Sequence, residues 1–150
     1  MKLSDLLSHH LIKVDLQSRD KDELIEEMVQ LLVTNGKVPV RRAAVVALTE
    51  REAQMSTGIG GGIGIPHAQV QGLPAICMAI GLSRTGIEYE ALDGEPIYVA
   101  FVILSSPENP GAHIEALAEI SRLCAQPGFV DNLRAAPSPD AVMAIIKAEE

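Results

Sequence analysis

Apolar positions along the chain follow two rhythms, one with helical spacing and one with continuous runs. Leu3, Leu6 and Leu7 make a short amphipathic turn, and Leu11–Leu16 reads as a first strand. Asp20 and Glu23 then have the spacing of a capping box, with Asp in the Ser/Thr place. Leu24, Ile25, Met28, Leu31 and Leu32 follow at helical period, and Asn35-Gly36 ends the helix. Pro39 opens a second helix with the stripe Val40, Ala43, Ala44, Ala47 and Leu48, which runs out near Arg51 and Glu52.

Two runs further on differ in kind. Ala75–Leu82 and Ile97–Leu104 are almost unbroken apolar stretches, the mark of strands buried on both faces. Between them Gly86–Glu90 alternates and predicts a short edge strand, and Asp93-Gly94 predicts a turn. Ser105-Ser106-Pro107 breaks the second run, and Asn109-Pro110 starts a third helix whose inner face is traced by Ile114, Leu117, Ala118, Ser121 and Cys124. Pro127-Gly128 precedes a short helix from Phe129 to Arg134, and Ser138-Pro139 starts a last one with Ala141, Val142, Ile145 and Ile146 inward. The expected fold class is α/β: one domain over residues 1–150, a mixed β-sheet flanked by helices on both faces.

One stretch fits neither rhythm. From Gly58 to Gly64 five of seven residues are glycine, and the run ends Ile65-Pro66-His67. Glycine admits φ > 0 and close approach, whereas Pro66 fixes its own φ and pushes Ile65 extended. The expectation is a loop leading into a short strand, with His67 at a rigid corner. The dinucleotide fingerprint fails because the third glycine place holds Ile63, Ile65 or His67. The phosphate loop fails for want of Gly-Lys-Ser/Thr, and the nucleophile elbow fails at Gln54. What remains is an imidazole beside glycine N–H groups, which can cradle an anion, and the hydroxyls of Ser56 and Thr57. Histidine can serve as a covalent nucleophile, or it can simply bond a turn.

Composition narrows the partners. A net charge of −8 argues against nucleic acid and suits a basic protein partner. Aromatics at 3% against 47% hydrophobic residues imply an aliphatic core. Cys77 and Cys124 lack metal-type spacing and read as free thiols in a reducing compartment, and His9 and His10 read as solvated. No apolar leader or membrane-length run is present, so a soluble cytoplasmic protein without membrane insertion is expected. No metal or other cofactor is implied, since the histidines and cysteines show no ligand cluster.

Arg51-Glu52, Ser56-Thr57-Gly58-Ile59-Gly60 and Ile63-Gly64-Ile65-Pro66-His67-Ala68 together resemble the signature of the fructose/mannitol-type EIIA domain. That domain belongs to the bacterial phosphoenolpyruvate-dependent phosphotransferase system, and nitrogen-regulatory relatives share it. The resemblance extends along nearly the whole chain. It implies a phosphoryl carrier that receives the group from an HPr-like phosphocarrier on His67. It places Arg51 at the site, where the residue alone would read as a surface ion pair. It makes His113, by itself a lone helical histidine, a second site histidine that orients His67 or its phosphoryl group. Thr57, Ser56, Gly58 and Gly60 are expected as phosphate ligands, although either hydroxyl could instead cap the turn, and Glu52 is expected to orient Arg51 or face solvent.

The chain ends at Lys147–Glu150 directly after its last helix pattern, which predicts a standalone domain of the nitrogen-regulatory type acting through protein binding. The alternative is a separate sugar-transport component that passes phosphate to an EIIB domain. A metal-free hydrolase using His67 as base is the third reading, and it lacks a nucleophile or carboxylate partner.

Overall fold

In the computed structural model, which describes residues 1–150, the two apolar runs lie side by side at the centre of a mixed sheet. β5 (Cys77–Ile87) and β6 (Ile97–Ser105) pair antiparallel, with Met78 opposite Ile103 and Ile80 opposite Phe101. Helices cover both sides of β6, so Val99 through Ser105 are all fully buried and the strand has no polar face to alternate with. Each fully buried Ile, Val or Phe there contributes about 1.5–3 kcal/mol relative to exposure.

Shorter strands flank this pair. β1 (Ile12–Lys13) runs parallel to β5. β2 (Gly58–Gly60) and β3 (Ile63–Gly64) form a small antiparallel hairpin, and β3 joins β6 in parallel. β4 (His67–Gln69) also runs parallel to β6, with His67 opposite Ile103 and Gln69 opposite Ser105. The hairpin needs its glycines: Gly60, Gly61 and Gly62 all have positive φ, between 67° and 97°. At Gly58 an added Cβ would stand 2.6 Å from the Cβ of Ala91.

The helices form two groups. α1 (Lys21–Thr34) and α2 (Arg41–Gln54) pack on one another and against β5 and β4. α3 (Pro110–Cys124), α4 (Phe129–Ala135) and α5 (Pro139–Glu149) cover the other face. Two N-termini form as their residues dictate. The Asp20 side chain accepts from the Glu23 N–H at 2.9 Å, and Ser138 accepts from the Ala141 N–H at 3.1 Å. Glu23 reaches back one residue further than a capping box requires, to the Arg19 N–H.

Four expectations need correction. The first strand shrinks to Ile12–Lys13, because Leu11 closes a 3₁₀ turn and the Gln17 and Ser18 N–H groups turn to the Glu27 carboxylate. Gly86–Glu90 is no separate edge strand: β5 continues through Ile87, Glu88 donates its N–H to the Arg19 carbonyl, and Tyr89 is fully buried. The second helix starts at Arg41, and Val40 lies outside its buried stripe at 58% exposure. α3 is turned by one residue from the expected face. His113, Ala116, Ile120 and Leu123 point inward, whereas Ile114 is 66% exposed.

Candidate active site

His67 opens β4, with its backbone held against the central strand: the Ile103 N–H donates to the Pro66 carbonyl at 3.1 Å, and the Val70 N–H donates to the Ser105 carbonyl at 2.8 Å. Its side chain is fixed as well. Nδ1 lies 2.7 Å from the Ile65 carbonyl oxygen. A carbonyl can only accept, so Nδ1 carries the proton and the neutral ring keeps its lone pair on Nε2. The proline corner therefore sets more than chain direction. By extending Ile65 it turns that carbonyl back onto the imidazole two residues later.

The ring is half-buried at the side of a cleft of about 310 Å³. Arg51 comes from the last turn of α2, His113 from the first turn of α3, and Gln54, Glu50 and Gln69 complete the polar rim. The two imidazole centroids are 5.4 Å apart and their planes are inclined by 56°. Arg51 donates from Nη1 to the Met55 carbonyl at 2.9 Å, which secures the guanidinium at the negative end of α2. Its other N–H groups are free for an anion. A larger groove of about 560 Å³ lies along α1. Asp22, Glu23, Glu26 and Glu27 line it, and these carboxylates would repel a phosphoryl group.

His113 is buried, and its Nδ1 is 2.5 Å from the hydroxyl of Ser105. Burial, and then the neighbouring His67, hold its pKa below the ordinary histidine value. It is therefore a neutral ring in the cleft wall. The interior bond to Ser105 explains why this polar residue occupies the inner face of α3.

Ser56, Thr57, Gly58 and Gly60 do not line the cleft. Thr57 is turned into the core. Its N–H donates to Glu52 at 3.2 Å, its hydroxyl also contacts the Glu52 carboxylate, and the Tyr89 phenol lies 2.8 Å from Thr57 Oγ1. Thr57 has a single hydroxyl proton, which the carboxylate takes, so the phenol is the donor to Oγ1. Burial, and then the Glu52 charge, raise the Tyr89 pKa far above its usual value. Ser56 Oγ accepts from the Gly58 N–H at 3.1 Å and so shapes the turn. Glu52 neither faces solvent nor pairs with the Arg51 guanidinium. It is 5% exposed and sits 3.2 Å from Lys21 Nζ. Sequence reasoning missed this hub, and it missed Gln69 and Ser105, because each depends on tertiary packing that periodicity does not show: Glu52 on Lys21 and Thr57, Gln69 on its pairing with β6, and Ser105 on the inward turn of His113. The only local signal was the Ser105-Ser106-Pro107 break.

The family described as phosphoenolpyruvate-dependent sugar phosphotransferase system, EIIA 2, matches residues 5–149. The fructose-specific EIIABC component of Bacillus subtilis (strain 168) is 39% identical over 150 residues, which is 100% of this chain and 24% of that protein. The fructose-specific EIIA component of Haloferax volcanii is 32% identical, covering 96% of this chain and 94% of its own length. The crystal structure of nitrogen regulatory protein IIA-Ntr from Neisseria meningitidis superposes with a TM-score of 0.89 at 27% identity, covering 96% of this chain and 98% of that one. No helix is long and apolar enough to cross a membrane. With the family's model matching residues 5–149, this chain belongs to the type-2 EIIA family of the phosphoenolpyruvate-dependent phosphotransferase system.

Proposed function

We propose that the protein is a phosphohistidine carrier that accepts a phosphoryl group on Nε2 of His67 from an HPr-like phosphocarrier. The observation that supports it best is the Nδ1–H···O=C bond to Ile65, which leaves the Nε2 lone pair in a cleft shared with Arg51 and His113. As Nε2 attacks phosphorus, the new N–P bond forms while the donor's bond to phosphorus breaks, and the donor leaves with that electron pair. Positive charge grows on the imidazole, and the Ile65 carbonyl stabilises it through Nδ1–H. The equatorial oxygens are met by the Arg51 guanidinium and a ring N–H of His113. Gly58 and Gly60 lie outside the cleft, and the Gly58 N–H is already donated to Ser56.

Incubation with phosphoenolpyruvate, enzyme I and a phosphocarrier labels the protein on an acid-labile histidine. His67→Ala abolishes that label, and labelling that survives the substitution refutes the assignment.

The onward step has two readings. In the first, the phosphorylation state controls binding to regulated target proteins, as the nitrogen-regulatory likeness suggests. In the second, an EIIB domain receives the group for fructose-class sugar transport, and the higher identity of the fructose-specific relatives supports it. Discharge on adding EIIB and sugar favours transport. A stable phosphoprotein with altered partner binding favours regulation.

A further inference from the structure

Ser105 closes β6 with its side chain fully buried, and its hydroxyl has a single partner, Nδ1 of His113. Its carbonyl is tied to the Val70 N–H and its Cα is in register with Gln69, so the hydroxyl is held by the same strand pair that holds His67. A proton count decides the direction of the bond. If the hydroxyl only accepted from Nδ1–H, its own proton would be buried with no acceptor, at the full desolvation cost of that donor. Donation to a bare Nδ1 satisfies both groups and leaves the His113 proton on Nε2.

We propose that Ser105 is a positioning residue that selects the Nε2–H tautomer of His113 and so supplies a neutral N–H donor beside the lone pair of His67 Nε2. Two backbone-anchored oxygens thus set the two rings in opposite senses. The Ile65 carbonyl demands a proton on Nδ1 of His67, whereas the Ser105 hydroxyl removes one from Nδ1 of His113. Two bare nitrogens would repel an incoming phosphoryl oxygen, and two Nε2–H groups would leave no nucleophile. The catalytic consequence rests on the carrier reading above; the tautomer does not.

The test is imidazole ¹⁵N NMR of histidine-labelled protein at about pH 8, well above the ordinary histidine pKa. In the parent, His113 gives a pyridine-type Nδ1 and a pyrrole-type Nε2. Ser105→Ala converts it to a mixture of tautomers, and Ser105→Thr, which keeps a hydroxyl, retains the parental pattern. Phosphoryl acceptance slows about fivefold in Ser105→Ala, the factor for one net hydrogen bond. It slows no further when Ser105→Ala is added to His113→Ala. A pyrrole-type Nδ1 in the parent, an unchanged tautomer in Ser105→Ala, or an undiminished Ser105→Ala effect in the His113→Ala background overturns the proposal. A protein that takes up no phosphoryl group sinks the carrier reading instead, and the NMR result alone then decides the role of Ser105.

Discussion

At the scale of single residues, the cleft is governed by where two protons sit and by one histidine kept neutral. The pKa of His113 is lowered on folding, so its neutral form is favoured in the native state. This contribution is fully present above the unfolded value of 6.5 and is lost as pH falls through the folded value, because the unfolded chain binds the proton first. Stability therefore rises with pH across that window. Urea unfolding of the parent and of His113→Gln over this range should show a shallower slope in the variant; equal slopes would mean that His113 is not the titrating group. The residue scale is also where the sequence was most legible. The Ile-Pro-His corner singles out His67 in the sequence, and the structure places Arg51 and His113 in the same cleft. Ser56 and Thr57 were misread because a hydroxyl beside glycines offers the same pattern to an anion as to a buried carboxylate. Which of the two it meets depends on Glu52 and Tyr89.

At the scale of elements, the glycine hairpin and the end of α2 are joined through that carboxylate. Glu52 holds Thr57 of the hairpin approach, Lys21 of α1 and, through Thr57, the Tyr89 phenol. Removing it strands the partly covered Lys21 ammonium together with the buried Thr57 N–H and hydroxyl. Glu52→Ala should cost about 3–5 kcal/mol in urea unfolding, the range for breaking a buried ion pair from one side. A loss under about 1 kcal/mol, typical of an exposed pair, would show that water replaces the carboxylate. Helices and long strands were readable from periodicity, yet the details depended on pairing. Gly86–Glu90 looked like a strand of its own because alternation says nothing about which neighbour a segment joins. The face of α3 differs by one residue because the apolar spacing fits Ile114 and Leu117 as well as Ala116 and Ile120, and the inward place of His113 is supported by its bond to Ser105.

At the scale of the whole molecule, the aliphatic core expected from a composition with few aromatics is a single cluster of 41 buried residues spanning both faces of the sheet. Cys77 lies in it, and burial pushes its thiol up to about 11. Cys124 is partly covered, and burial likewise raises it to about 11. Both are free. At neutral pH neither has an appreciable thiolate fraction, so a thiol reagent should react with native Cys77 only as fast as the molecule opens. Labelling in dilute urea followed by mass spectrometry measures this, and rapid native labelling of Cys77 would contradict the packing. The fold class followed from the two unbroken apolar runs. The strand order could not, because β3 and β4 are too short to carry a pattern and are recruited by β6.

The His67 ring stands on a strand stitched to the middle of the sheet rather than on a mobile loop. Such a ring is a fixed post and cannot serve as a swinging arm. Under the proposed carrier function, cargo lodged on it travels only when the entire domain diffuses, so donor and recipient would have to come to the same spot in turn, neither able to occupy it while the other is seated.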